Sequence, residues 1–245
     1  MKAVLLAAGL GTRLRPITNS IPKCLVPIGD KPLLGHWLDS LFKVGIVSVL
    51  INLHYRSDQV RKYVATRSDK DKIFLADESE LLGTAGTIRE NRTYLDGDQS
   101  LIIHADNFCN ANLTDFIQAH YSRPKNTDLT MMTFVSDQPS QCGIVETDNM
   151  GVVTAFHEKV EHPPSNLANG AVYIFEPSVI DFICSAPNDD IRDISNDVLP
   201  QFLGKINTWP VNDFFIDIGT PSNLEKARWV LDQKNHLIGS IFEHP

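Results

Sequence analysis

The sequence predicts an α/β protein built on a mostly parallel, mixed sheet with helices on both faces. Two observations carry this expectation. Apolar, β-branched runs alternate with helical periodicities through the first half of the chain, the order that lays helices over a parallel sheet. The 245 residues, 42% of them hydrophobic, are also enough for one such core without disulfides or a structural metal.

The elements follow in order. Residues 2–8 form a short apolar run stopped by glycines and read as a buried strand. Leu34, Trp37, Leu38, Leu41 and Phe42 recur at i, i+3, i+4, i+7 and i+8, the apolar stripe of a helix that Gly45 would stop. Residues 46–53 are again apolar and β-branched, a second buried strand. Ser57 or Asp58 is expected to cap a helix through Val60 and Val64. A strand at 73–76, a helix at 84–94, a strand at 100–105, a helix at 112–121 and a strand at 129–135 complete the alternation. Ligands of such sheets sit beyond the carboxyl ends of the strands, which directs attention to 9–13, 80–86 and Asp106-Asn107.

From about Gln141 the texture changes. Residues 143–147 and 152–157, joined by the turn Asp148-Asn149-Met150-Gly151, read as a hairpin. Residues 161–166, with Pro163-Pro164, are loop. A strand at 169–175, short helices at 178–184 and 195–203, a strand at 213–218 and a helix at 221–233 with proline in its first turn follow. There is no long linker, no internal repeat and no hexapeptide repeat of a C-terminal β-helix.

A net charge of −8 excludes a generally basic nucleic-acid coat. Four scattered cysteines without a CxxC pair argue against a zinc ribbon or disulfide framework and fit a reducing cytosol. The apolar start is short, and Arg13 and Arg15 stand where a signal-peptide cleavage region should be neutral. Nothing else approaches the ~18 apolar residues of a membrane helix. The expectation is a cytoplasmic protein with neither nucleic acid nor membrane as partner.

The strongest chemical signal is Leu6-Ala7-Ala8-Gly9-Leu10-Gly11-Thr12-Arg13-Leu14-Arg15-Pro16, followed by Pro22-Lys23. A glycine turn after a first strand lets backbone N–H groups approach phosphate oxygens without obstruction by a Cβ. A dinucleotide loop would need a third glycine at Leu14 and an acid after the second strand, which ends in Asn52-Leu53-His54. A Walker loop, GxxxxGK[ST], is missing. What remains is a turn delivering Thr12 and Arg13, with Lys23 further on. Residues 1–30 hold Lys2, Arg13, Arg15 and Lys23 against Asp30 alone, a local +3 that suits a polyphosphate. A bare tight turn with solvated cations would read the same way.

This run resembles the GxGTRLxPxTxxxPK signature of the nucleotide-sugar pyrophosphorylases, the sugar-1-phosphate nucleotidylyltransferases. The resemblance continues in order through Glu80-Leu-Leu-Gly83-Thr84-Ala85-Gly86, Asp106-Asn107, Gly143-Ile-Val-Glu146, Phe156-His-Glu158-Lys159, Asn169-Gly170 and Asp217-Ile-Gly219-Thr220. It implies a Rossmann-like, glycosyltransferase-A-like nucleotidyltransferase fold in a single domain over 1–245. Within it, about 1–140 would be the nucleotide-binding core, about 141–220 the sugar-phosphate-binding portion and 221–245 a C-terminal helix.

The implied reaction joins a nucleoside triphosphate to a sugar 1-phosphate and releases pyrophosphate, with Mg²⁺ as cofactor. Leu6, Ala7, Ala8, Gly9, Gly11, Thr12 and Arg13 would hold the nucleotide and its phosphates. Lys23 would sit by the α-phosphate, where charge builds. Asp106 and Asp217 would carry the metal, although aspartates also end strands as turn formers. Arg13, Lys23, Asp106 and Asp217 are thus the implied catalytic set.

Gly83 and Thr84 would admit the base. Glu80 would accept guanine N1 and N2, unless it is simply a solvated loop acid. The LGTAG form is similar to that of mannose-1-phosphate guanylyltransferases, so GTP with mannose or a manno-heptose 1-phosphate is favoured. Asn107, Gly143, Glu158, Lys159, Asn169 and Gly170 would line the acceptor site, although a Glu-Lys neighbour pair is commonly a surface feature.

The sequence departs from the family pattern at Phe215 (commonly Trp), at Val160 and Leu81 (commonly Pro) and at Ala105 (commonly Gly). The alternatives are UTP, CTP or dTTP with another phosphate acceptor, or a non-catalytic nucleotide-sugar-binding subunit. A homo-oligomer is allowed. His104 is expected to be a satisfied core histidine, and Cys24 a small packed side chain.

Overall fold

The computed structural model describes residues 1–185 and 190–242, with side chains through residue 233. In chain order the first strands and helices are β1 (Lys2–Leu6), β2 (Pro27–Ile28), β3 (Lys31–Pro32), α1 (Leu33–Lys43), β4 (Val49–Leu53), α2 (Ser57–Ala65) and β5 (Ile73–Asp77). Next come α3 (Thr84–Glu90), α4 (Arg92–Leu95), β6 (Ser100–His104), β7 (Asn107–Cys109), α5 (Leu113–Tyr121) and β8 (Leu129–Val135). The remainder is β9 (Gly143–Thr147), β10 (Val153–Glu158), β11 (Leu167–Phe175), α6 (Pro177–Ser185), β12 (Ile206–Pro210), β13 (Phe215–Asp217) and α7 (Pro221–Phe242).

Nine of these strands form one mixed sheet. β1 lies between β6 and β4, parallel to both, and β5 extends the parallel set beyond β4. β11 then runs antiparallel to β6, β8 and β9, which joins the hairpin β9–β10 to the parallel half.

The continuous apolar runs are explained by what lies on either side. Ala3, Leu5, Val49, Ile51, Leu101 and Ile103 face the layer formed by α1, α2, α5 and α7. Their neighbours Val4, Leu50 and Ile102 face α3, α4 and α6. Strand side chains alternate, so both parities must be apolar when both faces are covered. Each fully buried Leu or Ile there contributes about 1.5–3 kcal/mol of transfer free energy.

Several expected boundaries move for local reasons. Ile46 belongs to the end of α1: its N–H reaches Leu41 O and that of Gly45 reaches Phe42 O, with Gly45 at φ +84°. This is the paired bonding of a left-handed helix stop, so β4 begins only at Val49. Neither Ser57 nor Asp58 caps α2, because Arg56 holds that position at φ +53° and Ser57 is already helical. The helix expected at 84–94 breaks at Asn91, whose side-chain amide donates to Thr87 O and competes for the helical carbonyl.

Residues 195–203 form a π turn (Ile194–Val198) and then a 3₁₀ turn (Leu199–Phe202) with Pro200 near its start. The helix at the C-terminal end extends to Phe242, and the last three residues of its expected 221–245 span lie outside the described residues. β12 is an element the hydrophobic pattern does not announce. Its Ile-Asn-Thr-Trp-Pro is mixed in polarity, yet it pairs in parallel with β8.

The strand expected at 213–218 shortens to β13, which leaves the main sheet to pair antiparallel with β7. The register sets Asp217 opposite Asn107, and Ile218 N–H donates to Asp106 O at 3.1 Å. This ribbon brings together two aspartates that stand 111 positions apart in the sequence. Among the described residues no helix is long and apolar enough to cross a membrane.

Candidate active site

The glycine turn leaves the carboxyl end of β1 and folds back on itself. Gly11 sits at φ +62°, and a Cβ there would lie 2.9 Å from Thr18 Cγ2 and 3.2 Å from Lys23 Cβ. Thr18 Oγ1 donates to Gly11 O at 2.7 Å, and Leu14 N–H to the same oxygen at 3.0 Å. The glycine is therefore required twice, for its backbone conformation and for the close approach of Lys23.

Lys23, whose side chain is 10% exposed, donates to Asp106 Oδ2 at 2.8 Å and to Asp217 Oδ1 at 3.2 Å. Burial alone would lower the Lys23 pKa, but the two carboxylates outweigh it and leave the pKa raised, so the ammonium is charged. Burial acts to raise the Asp106 pKa, and Lys23 overrides it, leaving the carboxyl below its ordinary range. Asp217 Oδ1 also accepts from Gly219 N–H at 2.8 Å, and the guanidinium of Arg13 lies 3.6 Å from its other oxygen. Gly219 has no room for a Cβ, which would stand 2.9 Å from Arg13 Nη2 and 3.0 Å from Asp217 Oδ1.

The two aspartates fit a hard divalent cation such as Mg²⁺, which takes oxygen ligands and retains waters. Among the described residues no cluster of three or more His, Cys, Asp or Glu could hold a metal, so the protein offers this pair and the remaining positions would fall to water and ligand oxygens.

Two cavities meet at this point, sharing His104 and Asp106 in their walls. The first, of about 250 Å³, is lined by Leu6, Ala7, Ala8 and Gly9, by Gly83 and Thr84, and by Lys23 and Asp106. Gly11, Thr12 and Glu80 are not in its walls, and Glu80 is exposed. Glu78, two residues earlier and 7% exposed, lines the cavity instead. Glu78 N–H donates to Leu53 O at 2.8 Å, continuing the β4–β5 pairing by one residue and carrying the side chain inward.

Glu78 Oε1 accepts from Asn52 Nδ2 at 2.8 Å and from Thr87 Oγ1, while Asn52 Oδ1 accepts from Ala7 N–H at 2.6 Å. Asn52 and Glu78 are site residues that sequence reasoning missed. The available signals were a polar residue inside an apolar strand and an acid at a strand's carboxyl end.

The second cavity, of about 240 Å³, is lined by Arg13, Asp217 and the six residues Asn107, Gly143, Glu158, Lys159, Asn169 and Gly170. Glu158 lies opposite Gly143 in the β9–β10 register, and a Cβ at Gly143 would come 2.6 Å from Glu158 Oε2 and 2.6 Å from Phe156 Cζ. Lys159 takes φ +49°, and its Nζ pairs with Glu158 Oε1 at 2.8 Å. Asn107 Nδ2 donates to Gly170 O at 3.1 Å. Asn169 Nδ2 donates to Tyr173 Oη at 2.7 Å while its Oδ1 accepts from Ala171 N–H, across an irregularity in β11 where Ala171 sits at φ +52°.

The stacked rings of Phe134 and Phe215, 4.4 Å between centroids, form an apolar wall. Asp193, Ser195 and Asn196, which no sequence signal singled out, complete the rim. His104 departs from its expected role: Nε2 is buried without a hydrogen-bond partner among protein groups, and burial holds the pKa below its ordinary value. Cys24 is packed and 3% exposed, its thiol pushed up to about 12 by burial.

The nucleotidyl transferase family model matches residues 2–234. Mannose-1-phosphate guanylyltransferase catalytic subunit beta of Drosophila melanogaster is 32% identical over 91% of this chain, which spans 60% of that protein's length. Probable mannose-1-phosphate guanylyltransferase 1 of Oryza sativa subsp. japonica is 31% identical over 100% of this chain and 72% of its own. Among solved structures, HddC from Yersinia pseudotuberculosis, also crystallised with GMP-PN, superimposes with a TM-score of 0.78 at 28% identity, covering 94% of this chain and 99% of that one. A putative glucose-1-phosphate thymidylyltransferase from Bacillus anthracis shares the fold, with a TM-score of 0.85 at 21% identity and 94% coverage of both chains.

Proposed function

Because the chain belongs to the nucleotidyl transferase family, we propose that it condenses a nucleoside triphosphate with a sugar 1-phosphate to give a nucleoside-diphosphate sugar and pyrophosphate. The observation that carries this reading is the Lys23 ammonium bound to both Asp106 and Asp217 where the two cavities meet. The first cavity takes the nucleotide. The second, whose lining includes Lys159, takes the phosphorylated sugar.

In this mechanism a phosphate oxygen of the sugar 1-phosphate attacks the α-phosphorus. The new O–P bond forms as the bond to the bridging oxygen breaks, and pyrophosphate leaves with that electron pair. The protein's part is positioning and neutralisation of charge. Arg13 and the backbone of the glycine turn hold the leaving β- and γ-phosphates. Lys23 turns its ammonium to the α-phosphate. Mg²⁺ held by Asp106 and Asp217, when bound, supplies further neutralisation of the phosphate oxygens.

Glu158 accepts sugar hydroxyls, Lys159 pairs with the acceptor phosphate, and the Phe134–Phe215 wall meets the apolar face of the ring. GTP is the favoured nucleotide. The base-reading carboxylate is Glu78, not Glu80, since a buried carboxylate matches the adjacent N1 and N2 donors of guanine and uracil offers only one such donor. The names of the guanylyltransferase relatives support the same choice and a manno-configured sugar, mannose or a heptose.

A pyrophosphate-release screen of GTP, UTP, CTP, dTTP and ATP with Mg²⁺ against a panel of sugar 1-phosphates tests the reading. Release with GTP and a manno-configured phosphate is expected. Release with another pair would keep the chemistry and change the substrates. Silence across the panel would reject it in favour of a non-catalytic nucleotide-sugar-binding subunit.

A further inference from the structure

The two cavities are joined by more than a shared wall. Thr84 lines the first, and its hydroxyl is committed to the second: Thr84 Oγ1 donates to Asp193 Oδ2 at 3.1 Å and accepts from Ile194 N–H at 2.7 Å. One residue away, Ala85 N–H donates to Arg192 O at 2.9 Å, and a Cβ at Gly83 would collide with that same carbonyl. The segment 192–197 is itself stiffened, because Asp197 Oδ2 accepts from Arg192 N–H at 2.8 Å and Asp193 N–H at 2.7 Å.

From Asp193 the connection runs on into the second cavity. Asp193 Oδ1 accepts from Asn196 N–H at 3.0 Å and from its side-chain amide at 3.1 Å, fixing a residue on the rim. Ser195 stands beside the Tyr173 hydroxyl, which in turn holds Asn169 at 2.7 Å. Asp193, Ser195, Asn196 and Asn169 all line the second cavity. The bonds of Thr84 to Asp193 and Ile194 and of Asn169 to Tyr173 join part-buried groups, so a displacement at residues 83–84 is passed directly to the segment that follows Arg192.

We propose that Thr84 is a positioning residue that couples the two sites: a base seated against Gly83 and Thr84 sets segment 192–197, and that segment orders Asn196, Ser195 and Asn169 for the acceptor. The inference rests on the assignment of nucleotide and acceptor to the two cavities given above. Binding of either substrate then tightens binding of the other by the same factor, as reciprocity between linked sites requires.

The test is calorimetric and needs no turnover. The probes are the α,β-methylene analogue of whichever triphosphate the pyrophosphate screen selects, with Mg²⁺, and the selected sugar 1-phosphate. In the unaltered protein the analogue should tighten sugar-phosphate binding by roughly 10-fold or more. Thr84→Val should reduce that factor to below about 3-fold, and Thr84→Ser should restore it. Ser195→Ala cuts the connection at its other end and serves if the valine variant does not fold. Combined with Thr84→Val it should lose no more coupling than either change alone.

Independent binding of the two probes in the unaltered protein overturns the proposal. So does an undiminished factor in Thr84→Val or in Ser195→Ala, or a serine variant that fails to restore it. Failure of either probe to bind the unaltered protein would instead reject the assignment of the cavities, and the coupling with it.

Discussion

The nucleotide-side cavity and the acceptor-side cavity share a wall but are built differently. The first is set by the carboxyl ends of parallel strands, and its polar floor of Ala7, Asn52, Glu78 and Thr87 is closed by mutual hydrogen bonds between the strand ends and α3. The second is set by antiparallel strands, an irregular β11 and two left-handed residues, Lys159 and Ala171, and its Glu158–Lys159 pair is partly open to solvent. A closed network resists change because leaving one buried partner unmet costs about 1–3 kcal/mol. An exposed pair costs little to exchange. If the two cavities take the substrates as proposed, the comparison teaches that the chemistry and the choice of base are anchored in the stiff half, and the choice of sugar in the adjustable half.

Substitutions can break this division or sharpen it. The largest effect is expected where the halves meet. Lys23→Met should lower kcat/KM by about 1,000-fold, roughly 4 kcal/mol, and Arg13→Ala by about 100-fold, roughly 2.7 kcal/mol. Steady-state kinetics with both substrates varied would show it, and near-normal turnover in either variant would strip that side chain of its role.

Gly143→Ala should act on one half only. The added methyl meets Glu158 and Phe156, so the KM for the sugar phosphate should rise about 10-fold while equilibrium binding of the nucleotide alone is kept within about 2-fold. An equal loss in both would show that the acceptor side is not separable.

The smallest change distinguishes two neighbouring acids. Glu78→Gln should narrow the preference for GTP over UTP by about 5- to 10-fold, and Glu80→Gln should leave it unaltered. Competition between the two nucleotides decides it, and the opposite ranking would return base recognition to the exposed loop.

What the sequence made legible divides along the same line. Periodicity located β1, α1, β6 and β8 because their burial is dictated by residues close in sequence. The glycine turn and Lys23 were legible because phosphate chemistry needs that composition. That Glu78 lines the first cavity and Glu80 does not was illegible, because it depends on whether β5 pairs for one more residue, a fact held by Leu53 O, 25 positions before Glu78.

Of the segment from Arg192 to Asp197, only the residues from Ser195 on were read, as the start of a helix. Its place is set by bonds to Thr84, more than a hundred positions upstream, and no local pattern records them. β12 was missed because its buried Ile206 and core-packed Trp209 are separated by Asn207 and Thr208, so five residues show neither an apolar run nor a clean alternation. His104 was misread because an apolar strand suggests a satisfied interior, whereas the chain turns at its end and leaves Nε2 without a protein partner.

The small ribbon of β7 and β13 has a bearing on how the protein is made. The parallel core from β1 to β6 can be synthesised and begin to fold while Asp217 has yet to leave the ribosome. Until that late strand closes against Asn107, the nascent polypeptide lacks one of its two converging acids, and a product truncated ahead of it would keep the glycine turn and Lys23 with only one of the two carboxylates that Lys23 binds.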